Sequence, residues 1–121
     1  MRIVLYGGKE DLKTFSEFAD TVPELQYRMI EYGFVEDYDS LLNILKSGGI
    51  DVIAVLMDGA EGMEGVIASE SLAKNVPVIW FSDDKGFGVQ AHRLECAYFG
   101  TKPITAEKFC NAYKAYRGKL I

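Results

Sequence analysis

Apolar residues return along this chain in two rhythms. Arg2-Ile3-Val4-Leu5-Tyr6 is a short apolar run closed by Gly7-Gly8, which predicts a strand ending in a sharp turn. Leu12, Phe15, Phe18 and Ala19 then recur at helical spacing, and Pro23 marks the far limit of that helix. Leu25, Tyr27 and Met29 alternate, so the segment from Leu25 to Glu31 reads as a second strand, with one side more buried. Asp39 is placed to cap a helix carrying Leu41, Leu42, Ile44 and Leu45, with Gly48-Gly49 ending it. Val52 to Met57 has no polar break, the mark of a strand buried on both faces.

The second half repeats the alternation. A glycine-rich stretch runs from Gly59 to Gly65, followed by a short helix ending near Lys74. Val78-Ile79-Trp80-Phe81 predicts another doubly buried strand, and Asp83 to Gly86 a loop. Val89 to Leu94 reads as a weak helix and Ala97-Tyr98-Phe99 as the fifth strand. Thr105 is placed to cap a last helix whose inner face is Phe109, Ala112, Tyr113 and Tyr116. Five strands separated by helices imply parallel pairing with right-handed crossovers and helices on both faces. The expected fold is α/β: a flavodoxin-like, open, doubly wound five-stranded parallel sheet, order 2-1-3-4-5. Function in such a sheet gathers at the carboxyl ends of the strands, here Gly7-Gly8, Met57-Asp58-Gly59, Ser82-Asp83-Asp84 and Thr101-Lys102-Pro103.

Composition narrows this picture. At 121 residues, the chain is expected to be one domain over 1–121 with no output domain. A net charge of −5 disfavours direct binding to nucleic acid or anionic lipid. The longest purely aliphatic run, Val52 to Met57, is too short to span a bilayer, and no secretory signal precedes the first strand. The expectation is a cytoplasmic protein. Cys96 and Cys110 lack zinc-site spacing and read as buried free thiols, one on a strand and one on a helix.

Pro77-Val78-Ile79-Trp80-Phe81-Ser82, with Ala97-Tyr98-Phe99-Gly100-Thr101-Lys102-Pro103 some way beyond it, resembles the second half of a response-regulator receiver domain of the CheY-like superfamily. That family ends its fourth strand on a hydroxyl residue and its fifth on Lys-Pro, with an aromatic three residues before the lysine, the place of Phe99. The resemblance implies phosphoryl transfer from a histidine kinase to an aspartate. A magnesium ion would be held by two acidic residues after the first strand and by the acceptor after the third. The lysine would pair with the phosphoryl oxygens and the hydroxyl would bond one of them, charge stabilisation that such a transfer needs. On this chain the roles fall to Lys102, to Ser82, and to Asp58 as candidate phosphoacceptor and metal ligand. A cis Lys102-Pro103 bond is part of the same resemblance.

The chain departs from the receiver pattern in two places. Gly7-Gly8 stand where the acidic pair belongs, and glycine has no carboxylate to offer a magnesium ion. Glu10 and Asp11 come later, in the expected first helical turn, where acidic charge suits the helix dipole. The acceptor position falls near Leu56 or Met57, so the third strand would have to run one or two residues long to deliver Asp58. Asp83 and Asp84 add negative charge nearby, as loop solubilisers or as an unusual cation site. Neither spaced-glycine nucleotide motif is present after the first strand, and one histidine, His92, leaves nucleophile–base catalysis little to draw on.

The face of the fourth helix, fifth strand and fifth helix carries Gln90, His92, Arg93, Tyr98 and Phe99, a mixed aromatic and charged surface suited to an interface or a homodimer. The leading expectation is therefore an atypical, non-enzymatic signalling module. It would contact a histidine kinase or another signalling protein, with phosphorylation altered or lost. An active receiver using Asp58 with a rearranged magnesium site is the alternative, and a small-molecule-binding flavodoxin-like domain the third reading.

Overall fold

A computed structural model of the chain describes residues 1–26 and 29–119. The apolar runs form five parallel strands: β1 (Arg2–Tyr6), β2 (Glu31–Val35), β3 (Val52–Val55), β4 (Val78–Ser82) and β5 (Tyr98–Thr101). They pair in the order β2-β1-β3-β4-β5. The helical segments are α1 (Lys9–Thr21), a short α2 (Pro23–Gln26), α3 (Tyr38–Ser47), α4 (Gly59–Leu72), α5 (Gly88–Arg93) and α6 (Ala106–Lys119). A 3-10 turn, Lys85–Phe87, precedes α5. The expected open doubly wound sheet is thus the observed one.

Each strand sends alternate side chains to opposite faces, and this divides the core in two. Ile3, Leu5, Ile79 and Phe81 meet Leu12, Phe15, Phe109 and Tyr116 of α1 and α6. Val4, Tyr6, Ile53 and Trp80 meet Leu41, Leu45, Val66 and Ala91 of α3, α4 and α5. β3 and β4 are buried along their whole length, as their unbroken apolar sequence requires. Burying one such leucine or phenylalanine contributes roughly 1.5–3 kcal/mol, so these two layers dominate stability.

The expected second strand is displaced. Leu25 is buried on α2, Met29 is exposed, and the strand begins at Glu31. Tyr27 lies outside the described residues. The alternation that makes the strand is Tyr32 and Phe34, whose rings stack at 5.4 Å, with Gly33 between them leaving room for Ile44. The cap of α3 is Asp37 rather than Asp39: its carboxylate accepts from the Ser40 amide and hydroxyl, both at 2.8 Å. Those two bonds hold the Asp37 carboxyl below its ordinary pKa. Gly48, at φ 74°, ends the helix as expected.

The glycine-rich stretch is helical from Gly59 onward. Glycine costs a helix up to about 1 kcal/mol per residue, but here it brings α4 onto the sheet. A Cβ at Gly65 would sit 2.8 Å from the Tyr6 ring, and one at Gly62 would strike the Met57 carbonyl. The thiols also differ from expectation. Cys96 lies in the turn before β5 and is half-buried, and burial, then Glu70, pushes it up to about 12. Cys110 is on α6 but exposed, because the helix turns Phe109 and Ala112 inward instead. Thr105 caps α6 through the Lys108 amide. Among the described residues no helix is long and apolar enough to cross a membrane.

Candidate functional site

β1, β3 and β5 end along one edge of the sheet, and the chain beyond each strand bends toward a common cleft. Gly8 caps α1 through its main chain, Asp58 occupies the cap position of α4, and Lys102 comes directly after β5. With Asp11, Leu56, Met57 and Glu61 these residues line an open cleft of about 250 Å³.

Lys102 is its centre. The main-chain amide continues the β4–β5 ladder, donating to Ser82 O at 2.9 Å, and the Lys102-Pro103 bond is cis. The side chain, 15% exposed, reaches across the edge. Its Nζ donates to Asp11 Oδ2, to Asp58 Oδ1 and to the Leu56 carbonyl, each at 2.6 Å. A lysine ammonium has three donors, so these acceptors use all of them. Burial alone would lower the Lys102 pKa, but the bonds and charges of Asp11 and Asp58 outweigh it and hold the pKa above the ordinary lysine value.

Asp58 reaches the lysine without a longer strand. β3 ends at Val55, Leu56 adds one more ladder bond to Tyr6 O at 2.6 Å, and the chain then turns through Met57 into α4. Leu56 therefore stands at the strand end. Its side chain is fully buried and only its carbonyl faces the cleft. Gly7 matches it: a Cβ there would lie 2.8 Å from the Leu56 Cβ. The glycine where the receiver pattern has an acid thus accommodates a leucine near its acceptor position.

Asp11 is the site residue that sequence reasoning passed over. It does lie in the first turn of α1, together with Glu10. Yet Glu10 is exposed, whereas Asp11 faces the cleft and pairs with Lys102. The available signal was position: a helix leaving the carboxyl edge of β1 turns some side chains of its first turn back over that edge.

Ser82 is fully buried and engaged locally. Its Oγ donates to Asp83 Oδ1 at 3.3 Å and accepts from the Asp84 amide at 3.2 Å. The same Asp83 oxygen accepts from the Gly59 amide at 3.2 Å, and Asp84 caps the 3-10 turn through the Gly86 amide. Neither acid pairs with Lys102.

The oxygens present do not fit a divalent ion as they are arranged. Asp11, Asp58 and the Leu56 carbonyl all face the ammonium, and among the described residues no group of three or more acidic, histidine or cysteine side chains is placed to hold a metal.

The interface residues fall on two faces. Phe99 packs edge-on against Trp80 at 5.3 Å, on the side of α5, where His92 and Arg93 are exposed in its last turn. Tyr98 points to the other face, against Phe81 at 5.5 Å. Burial, then Glu107, raises the Tyr98 pKa.

No family model matches the chain, and no curated protein matches it in sequence. Solved structures do. A CheY-like receiver domain from Methanospirillum hungatei is 12% identical at a TM-score of 0.74, covering 98% of this chain and 95% of that one. The response regulator TrrA from Thermotoga maritima, in complex with Mg2+ and BeF, is 16% identical at 0.69, covering 95% and 97%. A protein assigned to pilus assembly, CpaE2 from Sinorhizobium meliloti, is 14% identical at 0.72, covering 96% and 99%. The chain therefore has the fold of CheY-like response-regulator receiver domains.

Proposed function

We propose that this chain is a receiver-like signalling module of a two-component system that acts through protein contacts, without phosphoryl transfer to Asp58. One observation carries the reading: all three Lys102 donors are spent on Asp11, Asp58 and Leu56. In a working receiver that lysine must be available to phosphoryl oxygens, and the carboxylates beside it to a metal. Ser82, bonded within its own turn, adds to the same reading.

The module is a single cytoplasmic domain over residues 1–121 and not an enzyme. Its partner is a histidine kinase or another signalling protein. His92, Arg93 and Phe99 give the α5–β5 side a contact surface, with Tyr98 at its α6 border, and the same face serves a homodimer. The net charge of −5 argues against nucleic acid as a direct partner. A second reading, an active receiver phosphorylated on Asp58, has in its favour that Asp58 is 54% exposed and already paired with Lys102.

Intact-mass spectrometry after incubation with acetyl phosphate and magnesium separates the two. The expected result is an unchanged mass. A single phosphoryl adduct that disappears in Asp58→Asn would overturn the proposal in favour of the second reading.

A further inference from the structure

We infer that the Lys102 ammonium is the built-in cation of this cleft: it fills an oxygen cage of hard-cation type and keeps free divalent ions out. The cage is defined by its chemistry. Two carboxylate oxygens, Asp11 Oδ2 and Asp58 Oδ1, and one main-chain carbonyl, that of Leu56, converge on one point from two segments, the first turn of α1 and the β3–α4 turn. Carboxylate and main-chain carbonyl oxygens are the ligands that calcium and magnesium take, at about 2.3–2.6 Å and about 2.0–2.1 Å. Each oxygen lies 2.6 Å from the Lys102 nitrogen, close to a calcium–oxygen distance.

The ammonium prevails because it is tethered. Strand β5 delivers it at a high effective concentration, whereas a free divalent ion must shed water to enter. This goes beyond the proposed function, since it holds whatever partner the module contacts. Its test is ion binding rather than phosphorylation, so the two fail separately.

Removing the ammonium should unmask the site. Calorimetric titration with calcium chloride, and separately magnesium chloride, is carried out on the unaltered chain and on Lys102→Met. Circular dichroism and the emission of Trp80 confirm that the variant is folded. The unaltered chain is expected to give no saturable heat into the millimolar range. The variant is expected to bind calcium at one site at least tenfold more tightly, and Asp58→Asn in that background to abolish the gain. Ion binding by the unaltered chain as tight as by the variant would overturn the inference, and so would a folded variant that binds neither ion. Should Lys102→Met not fold, the melting temperature of the unaltered chain decides. No rise with millimolar calcium or magnesium is expected, and a rise overturns the inference.

Discussion

On the carboxyl edge, the Lys102 side chain bonds to Asp11, 91 positions away, and to Leu56, 46 positions away. Beside it, after β4, the side chains of Ser82 and Asp84 bond only to residues one or two positions distant, and the Asp83 side chain alone reaches further, to the Gly59 amide. The first half ties α1, the β3–α4 turn and β5 together by charge. The second is a turn of hydroxyl and amide bonds with one link, from the Gly59 amide to Asp83, to the first. In the receiver pattern these halves act on one phosphoryl group. Here Lys102 and Ser82 share no side-chain partner, and the halves meet through the Asp83–Gly59 bond beside Asp58 and through the backbone of β4 and β5.

The largest expected effect lies on the charged half. Lys102→Met leaves Asp11 and Asp58 facing each other without a cation. Breaking a fully buried pair costs about 3–5 kcal/mol. Asp11 and Asp58 are 33% and 54% exposed, so solvent screening reduces the expected loss to about 2 kcal/mol, read by urea denaturation. A loss within error of zero would put the two halves on a par and break the contrast.

Ser82→Ala comes next. It removes one buried hydroxyl with two hydrogen bonds, and the expected loss is about 1 kcal/mol by the same denaturation measurement. A loss exceeding that of Lys102→Met would show that the hydroxyl half dominates instead.

The smallest expected quantity is the coupling between the halves. Lys102 and Asp58 share a bond, so their double-mutant cycle should give an interaction of about 0.5–3 kcal/mol. Lys102 and Ser82 share no side-chain partner, and their cycle should stay within about 0.5 kcal/mol. Equal couplings would mean that the edge behaves as one network.

Legibility in the sequence divides in the same way between local and distant. The buried strands β3 and β4 announce themselves because every side chain in them is apolar or nearly so, and Lys102-Pro103 is legible as a pair of neighbours. The displaced β2 was hidden because Leu25 is as apolar in a short helix as in a strand, while Tyr32 and Phe34 flank a glycine that interrupts the run. The helical start of α4 was hidden in the glycine-rich stretch because propensity counts Gly62 and Gly65 against a helix. Only the sheet beneath, with the Tyr6 ring and the Met57 carbonyl, explains why side chains are absent there. Asp58 was legible as the nearest carboxylate, but not its route: the helix cap, rather than a longer strand, presents it. Asp11 was masked by a sufficient local explanation, the helix dipole, and its bond to Lys102 spans most of the chain.

The central claim is that the Lys102 ammonium is held by Asp11, Asp58 and the Leu56 carbonyl, and NMR of the lysine side-chain nitrogen tests it most directly. The folded-state pKa of Lys102 is raised. Its bonds therefore contribute stability throughout the range below the ordinary lysine pKa, and that contribution fades only as pH rises through the higher folded value. The account predicts slowly exchanging Lys102 ammonium protons near neutral pH, a titration midpoint above the ordinary lysine value, and a resonance unmoved by millimolar magnesium. A Lys102 that titrates at or below the ordinary lysine value, or shifts on adding magnesium, would contradict it.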